Sequence, residues 1–150
     1  MLSDLFSNQV LGPTLLGWFL AQVLKPFTHY IRVRRWNWGL FFSAGGMPSS
    51  HSALITSVTF AIGFQIGFDS PLFALALAIG MIVVYDAAGV RRQAGLQAQR
   101  INLLINEIFA GKPISEERLK EVLGHTPTQV LAGILLGFMV ALLYYLFTKA

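Results

Sequence analysis

The chain has 150 residues, 55% hydrophobic and only 12% charged, with a mean hydropathy of +0.61, which is too apolar for a water-soluble globule of one domain's length. Cysteine is absent, so disulfides, thiolate metal sites and cysteine nucleophiles are excluded, and any chemistry must use oxygen and nitrogen. The formal charge of +4 is modest, but Lys25, Arg32, Arg34 and Arg35 fall within eleven residues that hold no acid, a cluster suited to an anion or a membrane surface.

The first apolar segment, roughly Leu5 to Leu24, reads as a membrane helix; it lacks the basic start and small-residue cleavage site of a secretory signal and is expected to be retained. The connection from Lys25 to Ser50 carries the basic cluster. In it Trp36, Trp38 and His29 read as membrane-interface side chains. Two further apolar segments follow, Ser52 to Phe68 and Pro71 to Gly89, separated by a tight turn at Asp69-Ser70-Pro71. The long connection from Val90 to Thr126 carries Arg91, Arg92, Arg100, Lys112, Arg118 and Lys120.

Within that connection Ile101, Leu104, Ile105 and Ile108 recur at helical spacing, which fits an interfacial amphipathic helix. Gly111 and Pro113 break it, and Ser115 caps a short helix with Glu116 and Glu117 in its first turn, an Ile114–Leu119 staple and a stop at Gly124. Glu107, Glu116, Glu117 and Glu121 read as solvated helix charges. The last apolar segment runs from Pro127 to Thr148.

A membrane core ~30 Å thick takes ~20 helical residues, so the four segments approach spanning length, the middle two being slightly short. Apolar residues surround most of each helix, leaving no solvated face. Gly63/Gly67 and Gly133/Gly137 have the spacing that lets helix backbones approach closely in lipid. The expected fold is therefore all-α: an integral membrane helical bundle of about four transmembrane helices in a single domain over residues 1–150, with interfacial amphipathic helices in its second cytoplasmic loop. The basic connections place both loops in the cytoplasm, and both termini on the opposite side.

Four stretches carry candidate chemistry. In GGMPSSHSA, Gly45 and Gly46 allow unusual backbone geometry, Pro48 sets the turn, and Ser49 or Ser50 caps a helix starting near His51, which together resemble an anion cradle. In LGHTPTQVLAG, His125 stands just before a helix capped by Thr126 and begun by Pro127. Two histidines at helix starts on one membrane face suggest one to attack and one to protonate a leaving group. In VYDAAGVRRQAG, Asp86 is an acid at the end of a membrane segment, costly unless paired or functional, with Arg91 and Arg92 beside it as phosphate-binding forks. In KPFTHYIR, Lys25 and Arg32 are spaced to bracket one phosphate.

These residues together resemble the type 2 phosphatidic acid phosphatase superfamily, which includes vanadium-dependent haloperoxidases, and most closely its small divergent branch. The superfamily pattern has a Lys, six residues and Arg-Pro; a Pro-Ser-Gly-His block; and a block of Ser-Arg, five residues, His, three residues and Asp. Lys25 and Arg32 match the first spacing, Pro48, Ser49 and His51 the second, and His125 is the candidate for the third. Val33, Ser50 and Gln129 stand where the family has Pro, Gly and Asp, and Leu119 where it has Arg.

The resemblance implies that His125 attacks phosphorus and His51 protonates the leaving oxygen. Lys25, Arg32, Ser49, Ser50, Arg91, Arg92 and Gln129 would bind the phosphate, and either Asp86 or Gln129 would orient the nucleophile. It implies a metal-independent hydrolase of a lipid phosphomonoester, with no cofactor, and phosphatidylglycerophosphate is the first substrate to consider. A polyprenyl diphosphate, or mere binding of anionic lipid without catalysis, are the alternatives. Its partners are then a membrane lipid phosphate and the bilayer itself, not nucleic acid, with assembly into a homo-oligomer left open.

Overall fold

A computed structural model describes residues 7–108 and 124–149, apart from the side chains of 90–92 and 106–108. Among the described residues the regular structure is entirely helical: α1 Leu11–Val33, a 3₁₀ turn Trp38–Phe42, α2 Ser50–Ile66, α3 Pro71–Ala88, α4 Val90–Ile108 and α5 Pro127–Lys149. The short helix expected from Ser115, with Glu116, Glu117, Glu121, Lys112, Arg118 and Lys120, lies outside the described residues, as does the side chain of Glu107.

The starts of α2, α3 and α5 follow from local capping chemistry. The hydroxyl of Ser49 accepts from the Ser52 amide at 3.3 Å, and that of Ser70 from the Phe73 amide at 3.2 Å. Pro71 and Pro127 occupy first helical positions, where a missing N–H costs nothing. α1 departs from expectation. It does not stop at Leu24 but continues through Pro26 to Val33, so KPFTHYIR is helical rather than a loop. A proline in a helix removes one backbone hydrogen bond, a defect that packed membrane helices tolerate because neighbouring groups compensate. The helix ends when Arg34 turns left-handed at φ 59°, its amide donating to the Tyr30 carbonyl.

α2 is the central helix, with α1, α3 and α5 packed on it, while α4 leans on α3. Its buried face is small and polar: Ser50, Ser52, Ala53, Thr56, Ser57 and Thr59 are all buried. The large apolar side chains point outward instead, among them Leu72, Leu75, Ile79, Ile82, Leu131, Leu135 and Phe147. That inversion is the arrangement expected where the surroundings are as apolar as leucine and tight backbone approach, not apolar burial, holds helices together. Among the described residues two helical stretches are long and apolar enough to cross a membrane: Pro71–Ile105, with a mean hydropathy of 2.1 in its most apolar window, and Pro127–Lys149, at 2.4.

α2 and α5 approach each other closely in the bundle's centre. A Cβ placed on Gly133 would collide with the Ser49 carbonyl and the Ser52 side chain, and one on Gly137 with the Ala53 carbonyl and Thr56. Ser57 Oγ donates to the Gly137 carbonyl at 3.1 Å across the same seam. The other glycine pair plays no such part: Gly63 faces the ring of Phe68, and Gly67 ends α2. Away from the seam's polar end, Phe60, Phe64, Phe68, Phe73, Phe138 and Tyr145 form an aromatic cluster, with Phe60 and Phe138 edge-to-face at 4.8 Å.

Candidate active site

The site lies where α2 and α5 begin and α3 ends. Ser49 is fully buried, and its polar groups are engaged in structure: its amide donates to the Gln129 carbonyl at 3.0 Å, and its hydroxyl accepts from Ser52. Ser49 is thus the cap that ties α2 to the first turn of α5. One residue on, Ser50 is 2% exposed, and its Oγ accepts from Lys25 Nζ at 3.3 Å. Lys25 is itself fully buried and also donates to the Ser43 carbonyl at 2.6 Å. An ammonium in the protein interior is stable only with such oxygen partners, and these draw the connection after α1 down onto the start of α2.

Of the two adjacent glycines, only Gly46 is conformationally demanding. It has φ +96°, and a Cβ there would press on the Lys25 stem at 3.4 Å, whereas one on Gly45 would make an ordinary 3.7 Å contact with Ser43 Oγ. Pro48 follows Met47 through a cis peptide bond.

His125 is held from two directions. Its backbone amide donates to the Ala87 carbonyl at 3.1 Å, pinning it to the end of α3, and its ring Nδ1 lies 3.2 Å from Gln129 Oε1. Gln129 Oε1 also accepts from the Thr126 amide at 3.0 Å, while Thr126 Oγ1 accepts from the Gln129 amide at 3.4 Å. This is the reciprocal capping box of a Thr-x-x-Gln sequence, and it presents His125, 4% exposed, toward α2. The His51 and His125 rings then stand 6.1 Å apart between centroids, tilted by 60°.

Two cavities flank this pair. One of about 270 Å³ is lined by His51, Ile82, Val83, Asp86 and Ala87. The other, of about 100 Å³, is lined by Lys25, Thr28, His29, Arg32, Leu40, Gly46, Met47 and Gln129. The structure therefore groups His51 with Asp86 and, separately, Lys25 with Arg32 and Gln129, and the His125–Gln129 contact joins the groups. Arg91 and Arg92 fall in the first turn of α4, directly after α3; their side chains lie outside the described residues. An apolar cavity of about 200 Å³ between α2 and α3, lined by Ile55, Phe60, Leu77, Met81, Val84 and Ile134 among others, lies further along α3.

Sequence reasoning missed His29, read as an interfacial side chain, and Thr28. Both line the cavity of Lys25 and Arg32. The signal was the spacing of 25, 28, 29 and 32, which shares one helical face once α1 is known to continue past Pro26. Thr28 Oγ1 donates to the Met47 carbonyl, a second clasp between α1 and the glycine loop. Among the described residues no three His, Asp or Glu side chains group as a metal-ion site.

Comparison with known proteins agrees with this architecture. The chain is 39% identical over 150 aligned residues to the "Uncharacterized membrane protein YuiD" of Bacillus subtilis (strain 168), the alignment covering 93% of this chain and 95% of that protein. No solved structure matches it. The Divergent PAP2 family pattern matches residues 6–140, from the first apolar segment into α5 and across every residue of the site above, and the chain belongs to that family.

Proposed function

We propose that the protein is a membrane-embedded phosphatase that hydrolyses a lipid phosphomonoester through a phosphohistidine, with phosphatidylglycerophosphate as substrate and phosphatidylglycerol as product. The carrying observation is the His51–His125 pair, 6.1 Å apart at the joint of α2, α3 and α5. Two imidazoles this close belong to one site, as a nucleophile and an acid acting on a single phosphoryl group must. Family membership supports a phosphatase relation, and the outward-facing apolar surface and the apolar cavity beside α3 support a lipid substrate.

In the first step a lone pair of the neutral His125 ring forms a bond to phosphorus while the ester P–O bond breaks, and the imidazolium of His51 gives its proton to the departing alkoxide. In the second, water attacks the phosphohistidine and hands a proton to the now neutral His51; the P–N bond breaks, releasing inorganic phosphate and restoring both rings. Lys25 and Arg32, with Arg91 and Arg92 at the start of α4, neutralise the phosphoryl oxygens. Asp86, which lines the same cavity as His51, orients a catalytic imidazole.

The test is release of inorganic phosphate by purified protein offered phosphatidylglycerophosphate, phosphatidic acid or a polyprenyl diphosphate, with and without EDTA. Turnover of the first should be fastest and insensitive to chelation. His51→Ala and His125→Ala should each lower kcat by about 100- to 10,000-fold. Full activity in both variants would sink the mechanism, and preference for the diphosphate would reassign the substrate.

A further inference from the structure

We propose that Gln129 is the positioning residue of His125, selecting through its neutral amide oxygen the tautomer in which Nδ1 carries the proton and Nε2 the lone pair. The assignment of protons follows from a backbone group that has no choice. The Thr126 amide donates to Gln129 at 3.0 Å, and because a main-chain N–H can only donate, the Gln129 atom it meets is the oxygen and the orientation of the amide is fixed. His125 Nδ1 lies 3.2 Å from that same oxygen. Two lone pairs facing each other at this distance would repel, so Nδ1 bears hydrogen. The ring cannot swing away to the other tautomer's partners, being 4% exposed with its own amide bonded to Ala87.

The device is local. The Thr126-x-x-Gln129 box that starts α5 also sets the chemistry of the residue just before it. It differs from a carboxylate in one consequence: an amide oxygen orients the ring without adding charge, so it does not favour the imidazolium. Among the described residues the ionisable side chains around the site are His51 from α2, Asp86 from α3, and Lys25, His29 and Arg32 from α1. An amide in place of a carboxylate adds no further negative charge to this set. The nucleophile thereby stays neutral, and able to attack, further into the acid range than it would beside an aspartate or glutamate.

The catalytic half of this inference rests on the phosphatase reading; the tautomer does not, and the experiment separates them. The chain has three histidines, so ¹⁵N-histidine spectra in micelles are assignable by single deletions. At alkaline pH, His125 should give the Nδ1–H pattern in the native chain and lose it in Gln129→Met. An Nε2–H pattern in the native chain, or an unchanged tautomer in Gln129→Met, overturns the proposal whether or not the protein turns over lipid.

In kinetics, Gln129→Met should lower kcat about 100-fold with KM within about twofold. Gln129→Glu preserves the capping box and should recover most of kcat, while its acid limb in the pH–rate profile moves up by about 1 pH unit. An unmoved profile in Gln129→Glu would show that the residue only caps the helix and overturns the proposal. If the native chain releases phosphate from no lipid, the enzymatic reading fails and the spectra still decide the tautomer.

Discussion

Lys25 is the residue on which the site depends most, because a fully buried ammonium has no solvent to lean on and its placement dictates that of everything around it. It holds Ser43 and Ser50 through hydrogen bonds and meets Gly46 through its stem. Removing the lysine alone leaves the Ser43 carbonyl and the buried Ser50 hydroxyl without their donor, a loss of about 1–3 kcal/mol. Lys25→Met should therefore unfold earlier on heating in detergent and also lose about 10- to 100-fold in kcat/KM, the range expected when one charge-assisted hydrogen bond to substrate is removed. An unchanged kcat/KM would place the phosphate elsewhere. The paired glycines give a sharper contrast. Gly46→Ala should cost about 1 kcal/mol because a Cβ is strained at φ +96°, whereas Gly45→Ala should be neutral; thermal midpoints of the two variants decide it.

Among elements, the α2–α5 seam is where packing and chemistry coincide. The glycines that bring α5 against the α2 backbone lie one and two turns beyond Gln129, so loosening the seam should also loosen the two histidines. Gly137→Val would force the helices apart and should cost about 3 kcal/mol or prevent folding, while Leu135→Ala, on the outward face of the same helix, should stay within about 0.5 kcal/mol. Denaturant titration in mixed micelles measures both. Equal sensitivity of the two positions would mean that α5 does not pack through its glycine face. α1 makes a related point: its continuation through Pro26 turns Lys25, His29 and Arg32 from members of a loop into one face of a helix, two turns long and aimed at the glycine loop.

At the scale of the whole molecule, we propose that the site opens to the cytoplasm, from the basic residues at the ends of α1 and in α4. Because the chain has no cysteine, single cysteines report topology without background. Asp69→Cys, in the exposed turn between α2 and α3, should react with an impermeant maleimide on intact cells, and Ala44→Cys, in the exposed loop before α2, only after the membrane is opened. The reverse pattern would invert the protein and put its substrate in the other leaflet.

Much of this protein is written in local sequence. Capping residues and prolines mark the starts of α2, α3 and α5, since a helix's first amides must find partners wherever it starts, and the motif blocks around His51, Asp86 and His125 name the family. What local sequence cannot express is distance. That the two imidazoles stand side by side, that Gln129 serves His125 as well as its own helix, and that one glycine pair is a seam while the other is not, depend on which helix lies against which. So does the identity of the α1 face: Pro26 argues for a break if read alone, and only the neighbours packed around it allow the helix to run on. Chain segments remote in sequence meet through backbone approach at small residues, and that contact is decided by the assembled bundle.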